Sequence, residues 1–413
     1  MRDSQRRRWR GSAVVVLPLL LAVACGGGDE EETGTGGGGQ ATKVVKLGVI
    51  APLSGDLTAT GTGIRNSVDL AIRQANEQNK VPGWRIELAA EDDAGKPDVG
   101  AQAAAKLASD SAVIGVVGTY NSSVALQVAP VLERANIVQV SPANTNDTLT
   151  RGENFRTSPT RPRKNYFRTA TLDSLQGGFA ADYAAKDLNF RTAAIIHDKK
   201  AYGQGLADSF KAQFERNGGR IVATETINPG DKDFAAVLTK IKPLNPDLIF
   251  YGGEYPEGSL ISSQAHGAQG IRAPVMGGDG IVDPTYTKTA GNAANGDFGT
   301  SVGAPPEQLA SARQFIADYQ RAGFRDAYTA YGALAYDAAN AIISTLPSAL
   351  GSASAVNDEA RRKVLDAVGK VSFDGASGRV AFDAFGDTVT KTLTMYKVEG
   401  GEFKPVKSGE FRG

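Results

Sequence analysis

The chain has 413 residues, 41% hydrophobic and 22% charged, the balance of a folded protein long enough for two domains. Its formal charge is zero, but residues 1–24 hold five Arg and one Asp; without them 40 basic face 44 acidic residues, a net of −4. That balance offers no basic face for nucleic acid, and a single cysteine, Cys25, excludes an internal disulfide and a cysteine-based metal site.

Taken in order, the chain opens with a basic stretch (Arg2, Arg6, Arg7, Arg8, Arg10) and an apolar run of 12 residues, 13–24. A bilayer core needs about 20 apolar residues, so this run reads as an export signal at 1–24. Leu21-Ala22-Val23-Ala24-Cys25 resembles a bacterial lipobox, which implies that Cys25 is lipidated after cleavage; Ala22 stands where Leu is usual. A plain secretory signal with an incidental Cys is the alternative, and the Arg pairs leave ordinary and twin-arginine export both open. Residues 25–43 are Gly-rich with the acidic run Asp29-Glu30-Glu31-Glu32 and cannot bury a core. They read as a tether averaging roughly 23 Å end to end.

From residue 44 strands and helices alternate. The apolar run 44–50 predicts a buried strand, and Ile64, Val68, Ala71, Ile72 and Ala75 then recur at helical spacing. Strand 84–90, helix 99–107 and strand 113–117 follow. Asn121-Ser122-Ser123 then stands where a helix N-cap belongs, opening a helix to 134 that Pro130 should kink or shorten. Free N–H groups and hydroxyls at such a helix start make an anion site. Strand 137–140 ends in Ser141-Pro142-Ala143-Asn144-Thr145, a second set of small polar groups. Residues 157–164, rich in Pro and Arg, read as a surface loop. Alternation resumes with helix 174–187, strand 192–196, a helix opened by Tyr202, strand 220–226, helix 234–242, strand 247–251 ending in Gly252-Gly253-Glu254, helix 258–267 and strand 274–276 ending in Gly277-Gly278-Asp279. Helical patterns at 308–322 and 329–346 and β-like segments near 379–382 and 391–397 close the chain. The predicted class is α/β, with two Rossmann-like lobes of parallel βαβ units.

Candidate site residues cluster after strands: Ser54, Ser122, Thr145, Tyr202, Glu254 and Asp279. Strand ends of open parallel sheets line clefts, so these predict one cleft between two facing rims. Catalytic signatures are missing. Gly61-Thr62-Gly63 and Gly203-Gln204-Gly205 lack the third glycine of a dinucleotide loop, and no P-loop, nucleophile elbow or zinc-helix pattern occurs. The two histidines, His197 and His266, have no metal-ligand spacing, and no cofactor is expected.

Several stretches together resemble a known family: Ala129-Pro130-Val131-Leu132-Glu133, Val140-Ser141-Pro142-Ala143-Asn144-Thr145, Asn165-Tyr166-Phe167-Arg168-Thr169, Asp173-Ser174-Leu175-Gln176-Gly177, His197-Asp198-Lys199-Lys200-Ala201-Tyr202-Gly203 and Gly252-Gly253-Glu254-Tyr255-Pro256-Glu257-Gly258. The chain resembles the type I periplasmic binding proteins of the leucine/isoleucine/valine class, which serve ABC importers. The resemblance implies two lobes joined by three crossovers, near 170–173, 290–304 and 372–378, closing on ligand like a flytrap. Lobe one would be 44–171 plus 292–372, and lobe two 172–291 plus 373–413. It implies that a ligand α-carboxylate meets Ser122, Ala143 and Thr145, that an α-ammonium meets Thr145 and Asp279, and that Tyr202 covers the ligand. Thr60 and Glu254 depart from the family's aromatic residues at their positions, and Gly95 and Asn121 stand where some members have a disulfide. Glu254 is either a solvated loop acid or a group that reads the ligand's side chain.

The implied function is a non-catalytic, extracytoplasmic, lipid-anchored solute receptor. Its partners would be a small-molecule ligand, ABC permease subunits and, through Cys25, the membrane. A sensor reporting to a membrane kinase, or a binder of a polar or basic amino acid, amide or urea, is the alternative. An export signal in place of a helix-turn-helix speaks against a repressor.

Overall fold

A computed structural model describes residues 42–411. The expected export signal, Cys25 and nearly all of the tether lie outside the described residues. Among the described residues no helix is long and apolar enough to cross a membrane.

The first sheet is built from β1 (Lys43–Ala51), β2 (Trp84–Asp92), β3 (Val113–Gly118), β4 (Val138–Ser141) and β5 (Tyr166–Arg168), in the order β2-β1-β3-β4-β5 and parallel throughout. The central strand β3, Val-Ile-Gly-Val-Val-Gly, is buried at every position. Such a run is what a strand needs when helices cover both faces of its sheet. The second sheet joins β6 (Thr192–His197), β7 (Arg220–Thr226), β8 (Leu248–Gly252), β9 (Val275–Gly277) and β10 (Phe298–Ser301) in parallel. A separate antiparallel hairpin, β11 (Ser372–Gly375) with β12 (Gly378–Ala381), follows in the chain. The last strands, β13 (Thr392–Glu399) and β14 (Glu402–Glu410), add antiparallel to the β10 edge of the second sheet, whose order is β14-β13-β10-β9-β8-β6-β7.

The two lobes therefore exchange chain. After β10 the chain returns to the first sheet. There Arg361, from the helix Asp358–Val368, donates through Nε to the Val113 carbonyl at 3.0 Å. Residues 373–390 also attach to the first lobe, although the resemblance assigned them to the second. Asp337 accepts from Ala376 N at 2.8 Å and Ser377 N at 2.7 Å, seating the hairpin on the helix Gly332–Ile343. Asp387 pairs with the buried Arg168 at 2.7 Å. Buried carboxylates with these partners hold the segment more firmly than its weak β pattern would suggest.

Local expectations met tertiary context in several places. Pro130 neither shortens nor ends its helix, which runs Ser122–Arg134. The carbonyl that loses its intrahelical partner is that of Leu126, a residue on the exposed face of the helix. The helix expected at 174–187 runs Asp173–Asp182 and closes in a π-helical turn, Tyr183–Asp187. Strands β5, β10, β11 and β14 lie outside the expected elements, and so does the helix Asp358–Val368, although Ala360, Val364 and Val368 recur at helical spacing.

Candidate functional site

Two loops of the first lobe build one wall. Gly118 ends β3 at φ +139°, where a Cβ would lie 2.2 Å from the Ile50 carbonyl oxygen, so only glycine lets the chain turn there. The Ser141 hydroxyl donates to Thr119 O at 2.9 Å, and Asn144 Nδ2 donates to Tyr120 O at 2.8 Å. Arg168, fully buried, donates to the carbonyls of Asn144 and Asn146 at 3.1 and 2.8 Å. This bracing presents Ser122, at the first turn of its helix, beside Ala143.

The second lobe supplies the facing wall. Gly203 approaches β8 so closely that a Cβ would meet Gly252 O at 2.4 Å, which seats the helix Ala201–Arg216 and its Tyr202. Asp279 follows β9. Its Oδ1 accepts from Tyr202 Oη at 2.8 Å and Gln176 Nε2 at 3.0 Å, and its Oδ2 from Tyr331 Oη at 2.9 Å. Burial pushes the Asp279 carboxyl up, and the Gln176, Tyr202 and Tyr331 donors pull it back. Tyr331 stacks edge-on against Tyr120 with centroids 5.3 Å apart.

Ser122, Ala143, Tyr202, Glu254 and Asp279 therefore converge on one cavity, joined by Tyr120, Asn121, Gly280 and Tyr331. The space they enclose is about 10 Å³, the room of a single water, so anything larger enters only as the walls part. Bridges between the lobes hold the walls together: Ser123 Oγ accepts from Ala201 N at 3.0 Å, Asn146 Nδ2 donates to Ala201 O at 2.6 Å, and Tyr255 Oη donates to Asp56 O at 2.6 Å.

Three expected residues do not line the cavity. Ser54, just past the end of β1, is exposed beside Asp92. Thr145 is buried against Asp173 at the first crossover, its carbonyl accepting from Asp173 N at 2.8 Å. Thr60 is buried beside Tyr255, whose phenol reaches across from the second lobe to Asp56 O. Glu254 is no solvated acid: it is 3% exposed, and its carboxylate accepts from Asn121 Nδ2 and Lys200 Nζ. Burial and Glu254 push Asp198 up to about 7; burial, with smaller contributions from Asp92 and Glu254, does the same to Asp93. His266 hydrogen-bonds the carbonyls of Ala293 and Ala273 and is structural. No cluster suited to a metal ion occurs among the described residues.

A family profile described as periplasmic binding protein matches residues 44–402. The chain belongs to the periplasmic binding protein family. The Leu/Ile/Val-binding protein homolog 3 of Brucella melitensis is 31% identical to this binding protein over 363 residues, covering 87% of this chain and 92% of the relative. Among solved structures, the branched-chain amino acid transporter substrate binding protein LivJ of Streptococcus pneumoniae, in complex with isoleucine, superposes with a TM-score of 0.78 at 28% identity, covering 89% of this chain and 100% of that one. The leucine binding protein LivK of Thermotoga maritima gives 0.77 at 28%, covering 88% and 98%. The two-lobed α/β fold expected from the sequence is the fold of these proteins.

Tyr120, Gln176 and Tyr331 escaped the sequence reading as site residues. Tyr120 adjoins Asn121-Ser122 and was within reach of the strand-end argument. Tyr331 opens a helix that follows no strand, and Gln176 sits inside one, so neither carried a local signal.

Proposed function

We propose that this periplasmic binding protein is the extracytoplasmic solute receptor of an ABC importer, capturing a branched-chain or related α-amino acid between its lobes. The observation that carries the reading is the pairing of a helix-start hydroxyl, Ser122, with a buried carboxylate, Asp279, across one small cavity. The ligand's carboxylate goes to the Ser122–Ala143 wall, where the helix N-terminus favours an anion. Its ammonium goes to Asp279, since a buried cation needs a charged partner. Tyr202 and Tyr331 hold that carboxylate in place from two lobes.

Ligand touching both walls favours the closed arrangement by its differential affinity for it, and the closed surface engages a permease. The protein carries out no chemistry on what it binds. We take the lobes to be 44–171 plus 303–390 and 172–302 plus 391–411. Cys25 carries the lipid anchor, and the Gly-rich tether keeps the receptor near the membrane while free to turn. Isothermal titration of the purified protein against aliphatic, polar, basic and acidic amino acids tests the reading. Micromolar binding of one of them, about −8 kcal/mol, supports it. Silence from the whole panel refutes it. For the anchor, Cys25→Ser should move the protein from the membrane to the soluble fraction.

A further inference from the structure

The cavity has a third wall that neither α-group uses. Glu254 forms it, and around Glu254 stand three more buried carboxylates, Asp93, Asp198 and Glu257. Lys200 lies 3.7 Å from Asp198 and also pairs with Glu254; among the described residues no other Lys or Arg pairs with any of the four. Four carboxyl groups thus share one ammonium. Asn121 Nδ2 takes one further position on Glu254, leaving about two of its four lone-pair positions open.

The acceptors nearby are under-used as well. Asp93 Oδ2, Asp198 Oδ2 and Asn121 Oδ1 are buried with no hydrogen-bond partner among the described residues. Buried acceptors are ordinarily satisfied; of these Asn121 Oδ1 belongs to the cavity lining beside Glu254 and the other two lie behind it, so this side of the cavity is short of donors. An aliphatic side chain would supply neither and would leave Glu254 facing hydrocarbon.

We propose that the ligand's side chain ends in a cationic nitrogen received by Glu254, so that the receptor selects basic α-amino acids. This rests on the amino-acid reading above and narrows it. Lys200 then acts as a tethered competitor that holds the wall together until ligand arrives.

The test is calorimetric titration of the full-length protein with L-ornithine, L-lysine, L-leucine and L-isoleucine at neutral pH. The expected result is that ornithine or lysine binds at least roughly tenfold more tightly than leucine. Glu254→Gln should weaken the basic ligand by about tenfold, and Lys200→Met should strengthen it. A misfolded variant produces only losses, so the opposite signs separate recognition from damage. Leucine or isoleucine binding as tightly as the basic ligands would overturn the inference and leave the amino-acid reading standing. So would a Glu254→Gln variant with unchanged preference. No heat from any of the four, nor from the wider panel, would overturn both.

Discussion

Single buried polar groups carry most of the argument at this site. Ser122 and Asp279 each face a ligand charge in the proposed complex, and truncating either leaves that charge without its partner. Ser122→Ala and Asp279→Ala should each weaken binding by about tenfold or more, read as dissociation constants by calorimetry. Unchanged constants in both would remove these residues from the site. Asp93 and Asp198 make a second claim testable through pH. Burial raises both to about 7, while an unfolded carboxylate titrates near 3.9. Between those values the folded state holds protons that the unfolded state has released. Stability therefore falls as pH rises through that window and levels off above about 7. Asp93→Asn and Asp198→Asn should each flatten the decline of the melting temperature between about pH 5 and pH 8. A decline of unchanged slope in both variants would assign it elsewhere.

At the scale of elements, most of the periodic segments were legible, and the shortest strands were not. Helices such as Thr58–Glu77 and strands such as β3 bury one regular face or both, and that regularity is written in local spacing. The helix Asp358–Val368 carries its signals at its start. Asn357 accepts from Ala360 N at 2.9 Å as its N-cap, and Asp358 and Glu359 fill the first turn. Those are recognisable start signals. Asn357→Ala should cost about 1 kcal/mol, measured by chemical denaturation. Pro130 makes the opposite point. Its sequence signal was clear, yet the helix continues through it, with the unpaired carbonyl belonging to Leu126 on the exposed face.

At the scale of the whole molecule, the chain crosses between two sheets and the cavity lies where their rims meet. Since the proposed ligand binds the folded, closed protein and not the unfolded chain, it should raise the melting temperature in a concentration-dependent way. Ligand at a hundred times its dissociation constant adds about 2.7 kcal/mol. A saturating ligand that leaves the transition unmoved would contradict binding in the interlobe cavity.

The sequence alone determined that this is an α/β protein of two lobes, with small and acidic polar groups at its strand ends and no catalytic signature. Those properties follow from local composition and periodicity, which are set within a dozen or so residues. It also pointed to Ser122, Ala143, Tyr202, Glu254 and Asp279, which the structure brings to one cavity. Only the tertiary structure decided that Thr60 is buried beside Tyr255 and that Thr145 turns to Asp173. It alone brought Tyr331 to Asp279, placed Glu254 between Asn121 and Lys200, and seated residues 373–390 on Asp337 and Arg168. Most of these pairs join residues far apart in the chain. Their partners are selected by how two sheets pack and face each other, and no local spacing encodes that.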